Sequence, residues 1–411
     1  GTQIGLAGSL TFDRGAMVEY AKTVGGPALR AMTFHQRAKM LKALAMHLSE
    51  QKNTLYEASF ATGATMKDHM IDVDGGIGTM MVIASKGRRE MPNGQVYVDG
   101  QVEQLSRSGQ FVGQHICTPK LGVSLHINAF NFPVWGMLEK MAPALLAGMP
   151  VIVKPATATC QVTELAFNII VASGILPKGS VQLITGDLGD LLDYLGGQDV
   201  VSFTGSETTG RHLRTHPALI HNAVHFMAEQ DSLNASVLGT DVAIDTAEFD
   251  LFIKEVHREI IVKAGQKCTA VRRVMVPEYL LDHVQAALID KLSQTTIGNP
   301  RHPKTRMGAL VSLSQRQDVL EKAAKIGAEA QCVFGSDGLS AVIDASAETG
   351  AFVAPRLFRC ENPDQAQAVH DIEAFGPVST IMGYSDVDHA AKLLNRGQGS
   401  LVASVFTADS G

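Results

Sequence analysis

A strand, a tight turn and the start of a helix follow one another in Val200-Val201-Ser202-Phe203-Thr204-Gly205-Ser206-Glu207-Thr208-Thr209-Gly210. Backbone N–H groups at a helix N-terminus attract phosphate, and Gly205 leaves room for a pyrophosphate beside the backbone. The stretch has no G-x-G-x-x-G fingerprint, so an ordinary strand-to-helix turn remains the alternative when it is considered alone.

Similar short β-branched runs precede this stretch and alternate with helical segments. They cover residues 123–127, 151–153 and 181–184. Pro133 suits the first position of one intervening helix, and the segments after Thr157, Gly189 and Ser206 fill other crossovers. Repeated β-α-β units predict a parallel sheet with helices on both faces, an α/β architecture of the dinucleotide-binding type. Lys154 ends one strand at the carboxyl edge where such sheets bind ligands; a solvated strand-end lysine is the alternative.

The flanking segments have different patterns. Helices are predicted from 14 to 90, where residues 34–48 repeat apolar side chains at three- and four-residue intervals. Alternation around an Asp99-Gly100 turn, continuing to 117, predicts a β-arm at about 94–118 that extends to a neighbouring subunit.

A second α/β pattern begins after Gly239. It combines a helix over 250–262 and a strand over 271–276, whereas a strand-like run over 401–406 lies beyond it. We therefore place the domain boundary near 239, with one domain over 1–238 and another over 239–398.

Composition excludes several classes of protein. The 411 residues carry a formal net charge of −6 without a basic cluster, which disfavours nucleic acid as a partner. The longest apolar stretch, residues 141–153, falls short of the roughly 20 needed to span a bilayer. The 5 cysteines include no CxxC pair, so no metal site is expected and a reducing cytoplasm is favoured. Because Gly1 is not a natural start, the question of a targeting segment before it stays open.

One cysteine lies where a reactive sulfur is expected, in Lys263-Ala264-Gly265-Gln266-Lys267-Cys268-Thr269-Ala270. Small residues let backbone approach the thiol, and Lys267 beside it favours the nucleophilic thiolate. A buried, inert cysteine is the alternative for the run alone. A carboxylate at Glu229 and an amide at Asn131 favour catalysis.

Five motifs together resemble the aldehyde dehydrogenase superfamily over essentially the whole chain. They are Asn131-Phe132-Pro133, Lys154-Pro155-Ala156, Phe203-Thr204-Gly205-Ser206, Gly265-Gln266-Lys267-Cys268 and Glu373-Ala374-Phe375-Gly376-Pro377-Val378. The resemblance implies an aldehyde dehydrogenase fold with a Rossmann-like cofactor domain, an α/β catalytic domain and a β-arm for homo-oligomerisation. It also implies that residues 399–411 begin the return to the cofactor domain.

A narrower resemblance is carried by residues 129–140, 154–159 and 229–234. They are similar to the semialdehyde dehydrogenase portion of the bifunctional phenylacetate ring-opening protein, with the benzoyl-CoA-pathway semialdehyde dehydrogenase second. Both act on aliphatic semialdehydes carried as CoA thioesters. The first would add a C-terminal hydratase domain, and a dehydrogenase fold kept as a vestigial scaffold is a further alternative.

The resemblance assigns the chemical roles. Cys268 is the nucleophile, and the Asn131 amide with the Cys268 backbone N–H forms the oxyanion hole. Glu229 activates the water that releases a free acid. Most members have two glycines after a Glu-Leu pair, whereas here Gln230 and Asp231 follow Glu229, which puts the reach of Glu229 in doubt.

The resemblance also assigns the cofactor residues. Glu373 holds the nicotinamide ribose and Phe375 packs nearby; a surface carboxylate before a Gly-Pro turn is the alternative for Glu373. Lys154, Thr157, Gly205 and Ser206 complete the cofactor set. NAD-preferring members typically have a glutamate at the Thr157 position, so NADP is expected to be preferred and NAD accepted. Alternatively, Thr157 only caps the following helix.

Overall fold

The computed structural model describes residues 4–8, 12–339 and 341–409. Within that part the chain forms two compact units. The first unit comprises residues 4–58 and 70–230, and the second comprises residues 59–69 and 231–409. Among the described residues, no helix has the length and apolarity to cross a bilayer, and no His, Cys, Asp and Glu side chains cluster as metal ligands would.

The first unit is built on a parallel sheet. In spatial order its strands are β5 (Val181–Leu183), β4 (Val151–Lys154), β3 (Ser124–Ile127), β6 (Val200–Thr204) and β7 (His225–Glu229). The four strands predicted from β-branched runs are confirmed. β7 was not predicted, because it contains no β-branched residue and so lacks the signal that marked the other four strands.

Helices pack on both faces of this sheet. The helices between residues 14 and 221 are α1 (Arg14–Tyr20), α2 (Gly26–Arg30), α3 (Phe34–Glu50), α4 (Lys52–Ser59), α5 (Met66–Arg89), α6 (Trp135–Leu146), α7 (Cys160–Ala172), α8 (Glu207–Arg214) and α9 (Pro217–His221). Adjacent residues of β4 point to opposite faces, so Val153 packs in one apolar cluster and Ile152 in the other. Pro133 precedes α6 by two residues and does not open it.

The predicted β-arm is present, but its turn was placed wrongly. β1 (Tyr97–Gln104) runs straight through Asp99-Gly100 and pairs antiparallel with β2 (Val112–Cys117). Gly100 has a left-handed φ of 72°, and the register shifts between Asp99 and Glu103. The Asp-Gly pair therefore makes a bulge within the strand, and the chain reverses only over residues 105–111.

The second unit has a larger, mixed sheet. Its spatial order is β10 (Gln331–Phe334), β11 (Arg356–Cys360), β12 (Val378–Tyr384), β9 (Arg273–Pro277), β8 (Ala235–Leu238) and β13 (Ala403–Phe406). Only β10 and β11 are antiparallel neighbours. The helices are α10 (Ala247–Ile261), α11 (Leu281–Ser293), α12 (Leu313–Ile326), α13 (Ala368–Asp371) and α14 (Val387–Asn395).

The units differ from the predicted domain boundaries at both ends of the second unit. Its sheet already includes β8, so the division falls after Gln230 and not near 239. β13 pairs with β8, which places residues 403–406 in this unit and not on a return to the first. Residues 59–69 also belong to it, where Arg301 lies over the Phe60 ring at 4.5 Å.

Candidate active site

Several of the sequence-predicted residues lie at one edge of the parallel sheet in the first unit. Lys154 ends β4, Glu229 ends β7, and Gly205 and Ser206 follow β6 directly. Parallel strands bring their carboxyl ends to a common edge, which is where open α/β sheets bind ligands. Gly205 N donates to Glu229 O at 3.1 Å, and Asn128 N donates to Lys154 O at 3.0 Å. These hydrogen bonds hold the loops that follow β3 and β6 against the ends of the neighbouring strands β4 and β7.

Asn131 lies in the loop between β3 and α6, and it is 7% exposed. Asp72 of α5 accepts the Trp135 N–H at 2.8 Å and so caps the start of α6 with a buried carboxylate. Thr159 Oγ1 donates to the carbonyl of Phe130 at 3.0 Å. The backbone on both sides of Asn131 is therefore held by side chains from other helices.

The half-buried Lys154 has a negative neighbour that the sequence did not reveal. Burial lowers the pKa of its ammonium, and the nearby carboxylate of Asp187, in the loop after β5, opposes that shift. Thr157 is exposed in the short 3₁₀ turn that follows β4. The residue before α7 is Thr159, so the alternative that Thr157 caps that helix is wrong.

Ser206 and Gln230 each contact α8. Ser206 is the N-cap residue of this helix, and its Oγ accepts the Thr209 N–H at 3.4 Å. A Cβ added at Gly210 would lie 2.1 Å from Gln230 Nε2, so the Gln230 side chain occupies that space. The helix thus accommodates the long side chain that lies directly after Glu229.

Asn128, directly after β3, is a polar residue that the sequence did not single out. It is 5% exposed, and neither atom of its amide has a hydrogen-bond partner within the described chain. Buried amides normally have partners, and leaving one unsatisfied costs about 1–3 kcal/mol. A bound ligand or water at the carboxyl edge would supply the missing bonds.

This edge fits a dinucleotide cofactor. It offers the Lys154 ammonium, the N-terminus of α8 and the unsatisfied Asn128 amide. A Cβ at Gly205 would lie 2.7 Å from the Phe203 ring, so only glycine fits the turn without displacing that ring.

Cys268 lies in the second unit, in a loop with unusual backbone geometry. The preceding residues with left-handed φ are Lys263 (54°), Ala264 (52°) and Gly265 (70°). Such conformations cost about 1–3 kcal/mol each for residues other than glycine and require support from the surroundings. Asp68 Oδ1 accepts the Lys263 N–H at 2.9 Å, and Asn234 Nδ2 donates to Cys268 O at 2.8 Å. The half-buried thiol is thus carried by a tightly held loop.

The predicted role of Lys267 is changed by its contacts. Its Nζ donates to both oxygens of Glu259 on α10, each at 2.7 Å. That carboxylate offsets the positive charge that we expected to favour the Cys268 thiolate. A different cation, Arg272, interacts electrostatically with Cys268.

Glu373 is buried in the second unit at 7% exposed, so the alternative of a surface carboxylate is wrong. Arg272 Nη2 donates to its Oε1 at 3.3 Å, and Ser232 N donates to its Oε2 at 3.2 Å. Burial raises the pKa of Glu373, while Arg272 opposes that rise. The half-buried Phe375 ring lies 5.5 Å from the same guanidinium.

Cys160, Cys360 and His126 are buried, whereas Cys117 and His225 are exposed. Cys160 and Cys360 are buried, and burial raises the pKa of both thiols. His126 is 2% exposed and hydrogen-bonds Ser124 Oγ through Nε2 at 2.9 Å. Burial lowers the pKa of His126 to about 3, so it is neutral at physiological pH. His225 is exposed at the start of β7.

Sequence reasoning found the motif residues in both units and missed the side chains that support them. Asp72 was one more polar residue in a helical segment, and Asp187 lay in a loop without a motif. Arg272, four positions after the reactive cysteine and directly before a predicted strand, gave no signal of its burial, since arginine is mostly exposed in proteins.

Comparison with known proteins gives the family. A profile of the aldehyde dehydrogenase family matches residues 11–411. The chain is 43% identical over 394 residues to a 3,4-dehydroadipyl-CoA semialdehyde dehydrogenase of Aromatoleum evansii, covering 96% of this chain and 76% of the relative.

Solved structures agree on the fold. The structure resembles a betaine aldehyde dehydrogenase from Staphylococcus aureus, crystallised with NAD⁺, with a TM-score of 0.84 at 24% identity over 98% of this chain and 76% of that one. A Burkholderia cenocepacia protein assigned to the same family gives a TM-score of 0.85 at 25% identity, over 100% and 80% of the two chains. The chain belongs to the aldehyde dehydrogenase family.

Proposed function

We propose that this dehydrogenase oxidises an aliphatic semialdehyde carried as a CoA thioester to the free acid, through a covalent intermediate on Cys268. The observation that carries the proposal is the nucleophile loop, in which left-handed backbone and two side-chain contacts present the thiol. The Glu229 carboxylate at the end of β7 and the Asn131 amide after β3 supply the other two groups that the reaction needs.

The first half-reaction forms and oxidises a thiohemiacetal. The Cys268 thiolate attacks the aldehyde carbon, making a C–S bond and an oxyanion. The Asn131 amide and the Cys268 backbone N–H donate to that oxygen. As the C=O bond re-forms, the hydrogen on this carbon departs with its electron pair and a thioester remains. Bound NAD(P) supplies the hydride acceptor.

The second half-reaction releases the acid. Glu229 takes a proton from water, and the oxygen of that water attacks the thioester carbon. The C–S bond then breaks, so the thiolate of Cys268 is regenerated and the product forms as a carboxylic acid, which gives its remaining proton to solvent and leaves as a carboxylate. Members that transfer the acyl group to coenzyme A generally lack this carboxylate, which supports hydrolysis here.

We propose NADP as the preferred hydride acceptor, with NAD accepted. Thr157 is neutral and exposed at the position where a carboxylate would repel a 2′-phosphate, and Lys154 provides positive charge at the same edge. Asp187 beside Lys154 offsets part of that charge and limits the preference.

The substrate class rests on the named relative. Of the two candidate substrates, the 43% identity to the Aromatoleum evansii enzyme supports 3,4-dehydroadipyl-CoA semialdehyde, and the motif resemblance supports the phenylacetate ring-opening semialdehyde. We propose 3,4-dehydroadipyl-CoA semialdehyde as the better substrate. The phenylacetate ring-opening semialdehyde is the alternative substrate of the same class. We further propose a homo-oligomer, supported by exposed apolar side chains on the β-arm, among them Val98, Val112 and Ile116.

The deciding experiment supplies each CoA semialdehyde, and its CoA-free analogue, with NADP or NAD and follows reduced nicotinamide at 340 nm. We expect kcat/KM to be higher for the CoA thioesters and the product to be a free acid by mass spectrometry. A protein that binds cofactor but reduces none of it with any aldehyde would instead be a scaffold.

A further inference from the structure

One buried arginine joins two motifs of the second unit. The Arg272 side chain is 4% exposed and lies directly before β9. Its Nη2 donates to Gly265 O at 2.9 Å, in the loop that carries Cys268, and its Nη1 donates to Gly376 O at 2.8 Å. A third contact from the same side chain is the ion pair with Glu373.

The two motifs touch each other where Arg272 binds them. A Cβ on Gly265 would lie 2.0 Å from Gly376 O, so the two backbones are in direct contact. Asn234 and Ser232 reinforce the junction: Ser232 Oγ donates to Asn234 Oδ1 at 2.7 Å, while Ser232 N binds Glu373. A shift of the guanidinium would therefore move the nucleophile loop and the carboxylate together.

Arg272 also places a cation against the residue before Cys268, since its Nη2 lies 3.5 Å from Lys267 O. Burial lowers the pKa of its guanidinium, while the negative charges of Glu373, Cys268 and Glu259 oppose that shift. Arginine remains protonated in proteins, so a full positive charge persists here. Lys267 gives its Nζ to both oxygens of Glu259, whereas Arg272 shares its donors between Glu373 and backbone carbonyls.

We infer that Arg272 is a positioning residue of the dehydrogenase, which orients Glu373 for the cofactor and favours the thiolate form of Cys268. This rests on the proposed function only for the roles of Glu373 and Cys268. The guanidinium acts through these two side chains, by hydrogen bonds in the first case and by charge in the second.

Two measurements that need no aldehyde test the inference. The first is the rate of Cys268 alkylation by iodoacetamide at pH 7, read by peptide mass spectrometry so that the other cysteines do not contribute. The second is the dissociation constant for NADPH, read from its fluorescence. Both measurements report on Arg272 even if the native protein oxidises no semialdehyde. Failure of the proposed function can therefore be distinguished from failure of this inference.

The variants separate charge from geometry. Arg272→Gln removes the charge and should slow alkylation at least about tenfold, the factor equivalent to one pKa unit. Arg272→Lys keeps the charge but loses the two-pronged guanidinium that makes several hydrogen bonds at once. Its alkylation rate should stay within about threefold of the native rate, and it should bind NADPH at least about fivefold more weakly. Glu373→Gln should weaken NADPH binding without slowing alkylation.

The neighbouring Arg273 is the matched control. It is fully buried and donates to the carbonyls of Leu233 and Leu393, and within the described chain none of its side-chain hydrogen bonds goes to Glu373 or to residues 263–268. Arg273→Lys should lower thermal stability yet leave the alkylation rate native. Native alkylation in a folded Arg272→Gln overturns the inference. If that variant does not fold, native NADPH binding by Arg272→Lys, or slowed alkylation in Glu373→Gln, overturns it instead.

Discussion

At the scale of single residues, Cys268 and Glu229 belong to different half-reactions and can be told apart. Cys268→Ala should abolish both hydride transfer and thioester formation, because no nucleophile remains. Glu229→Gln should give a burst of reduced cofactor and then stall, because the thioester forms but its hydrolysis lacks a base. Rapid-mixing absorbance with intact-protein mass spectrometry measures both. Normal steady-state turnover of Glu229→Gln would contradict the assignment of Glu229 as the general base.

Asn131 should contribute through the transition state. Asn131→Ala removes one oxyanion donor and should lower kcat by about 100- to 1,000-fold with little change in KM. The control is Thr159→Val, which loosens the Asn131 loop by one hydrogen bond and keeps the donor. We expect its loss of kcat to be much smaller. Equal losses in both variants would mean that Asn131 acts only by holding its loop.

Cofactor choice should respond to charge at two positions of the first unit. Thr157→Glu adds a carboxylate at an exposed position of the carboxyl edge and should shift the kcat/KM ratio toward NAD. Asp187→Asn removes the negative charge that offsets Lys154 and should shift the kcat/KM ratio toward NADP. The two variants are assayed with both cofactors against the native protein. A native preference for NAD, or an unchanged ratio in Thr157→Glu, contradicts the proposal.

The sequence predicted the residues that do chemistry better than the residues that hold them. Cys268, Glu373 and Lys154 belong to short contiguous motifs, so their neighbours identify them. Arg272 and Asp72 act on segments that are distant in the chain or on other elements, and such pairings depend on the tertiary fold. Lys267 shows the converse. It is adjacent to Cys268 in sequence, which suggested that it would favour the thiolate, but it forms an ion pair with Glu259.

At the scale of elements, the nucleophile loop depends on a close backbone approach at Gly265. Gly265→Ala would place a Cβ 2.0 Å from Gly376 O and also strain a φ of 70°. Gly174→Ala meets a similar φ of 64° with nothing within 4 Å, so it isolates the cost of the backbone conformation, about 1 kcal/mol. We expect Gly265→Ala to lose more than about 100-fold in kcat and Gly174→Ala almost none. Similar activities in the two variants would mean that the contact does not position Cys268.

The β-arm shows why an element can be predicted while its turn is not. Asp-Gly between alternating residues is a strong hairpin signal, yet a glycine with left-handed φ serves a bulge equally well. The pairing partner decides between the two. Here β2 pairs with residues on both sides of Gly100, so the strand continues through it.

At the scale of the whole molecule, the two units reflect contacts that cross long stretches of chain. Residues 59–69 join the second unit because Asp68 supports Lys263, 195 positions later. The sequence pattern across these residues is simply helical, so it predicts no such assignment. Repeated β-α-β patterning, by contrast, was sufficient to predict the parallel sheet of the first unit.

Both units should lose stability in mild acid through buried histidines. Burial lowers the pKa of His126 to about 3 and those of His69 and His370 to about 4, from 6.5. A lowered folded pKa means that the unfolded chain binds more protons as pH falls below 6.5. Stability is therefore complete above about pH 6.5 and lost toward pH 4, by about 2 kcal/mol per histidine at pH 5.

Urea unfolding at pH 7 and pH 5 measures this loss, and His126→Gln should reduce it by the share of one histidine. His115→Gln, at an exposed position of β2, is the control and should unfold with the same pH dependence as the native protein. Because both variants are compared with the native protein at each pH, the titration of carboxylates cancels. An undiminished loss in His126→Gln would show that His126 accepts a proton in the folded state, with its ring reached by water that the buried position otherwise excludes.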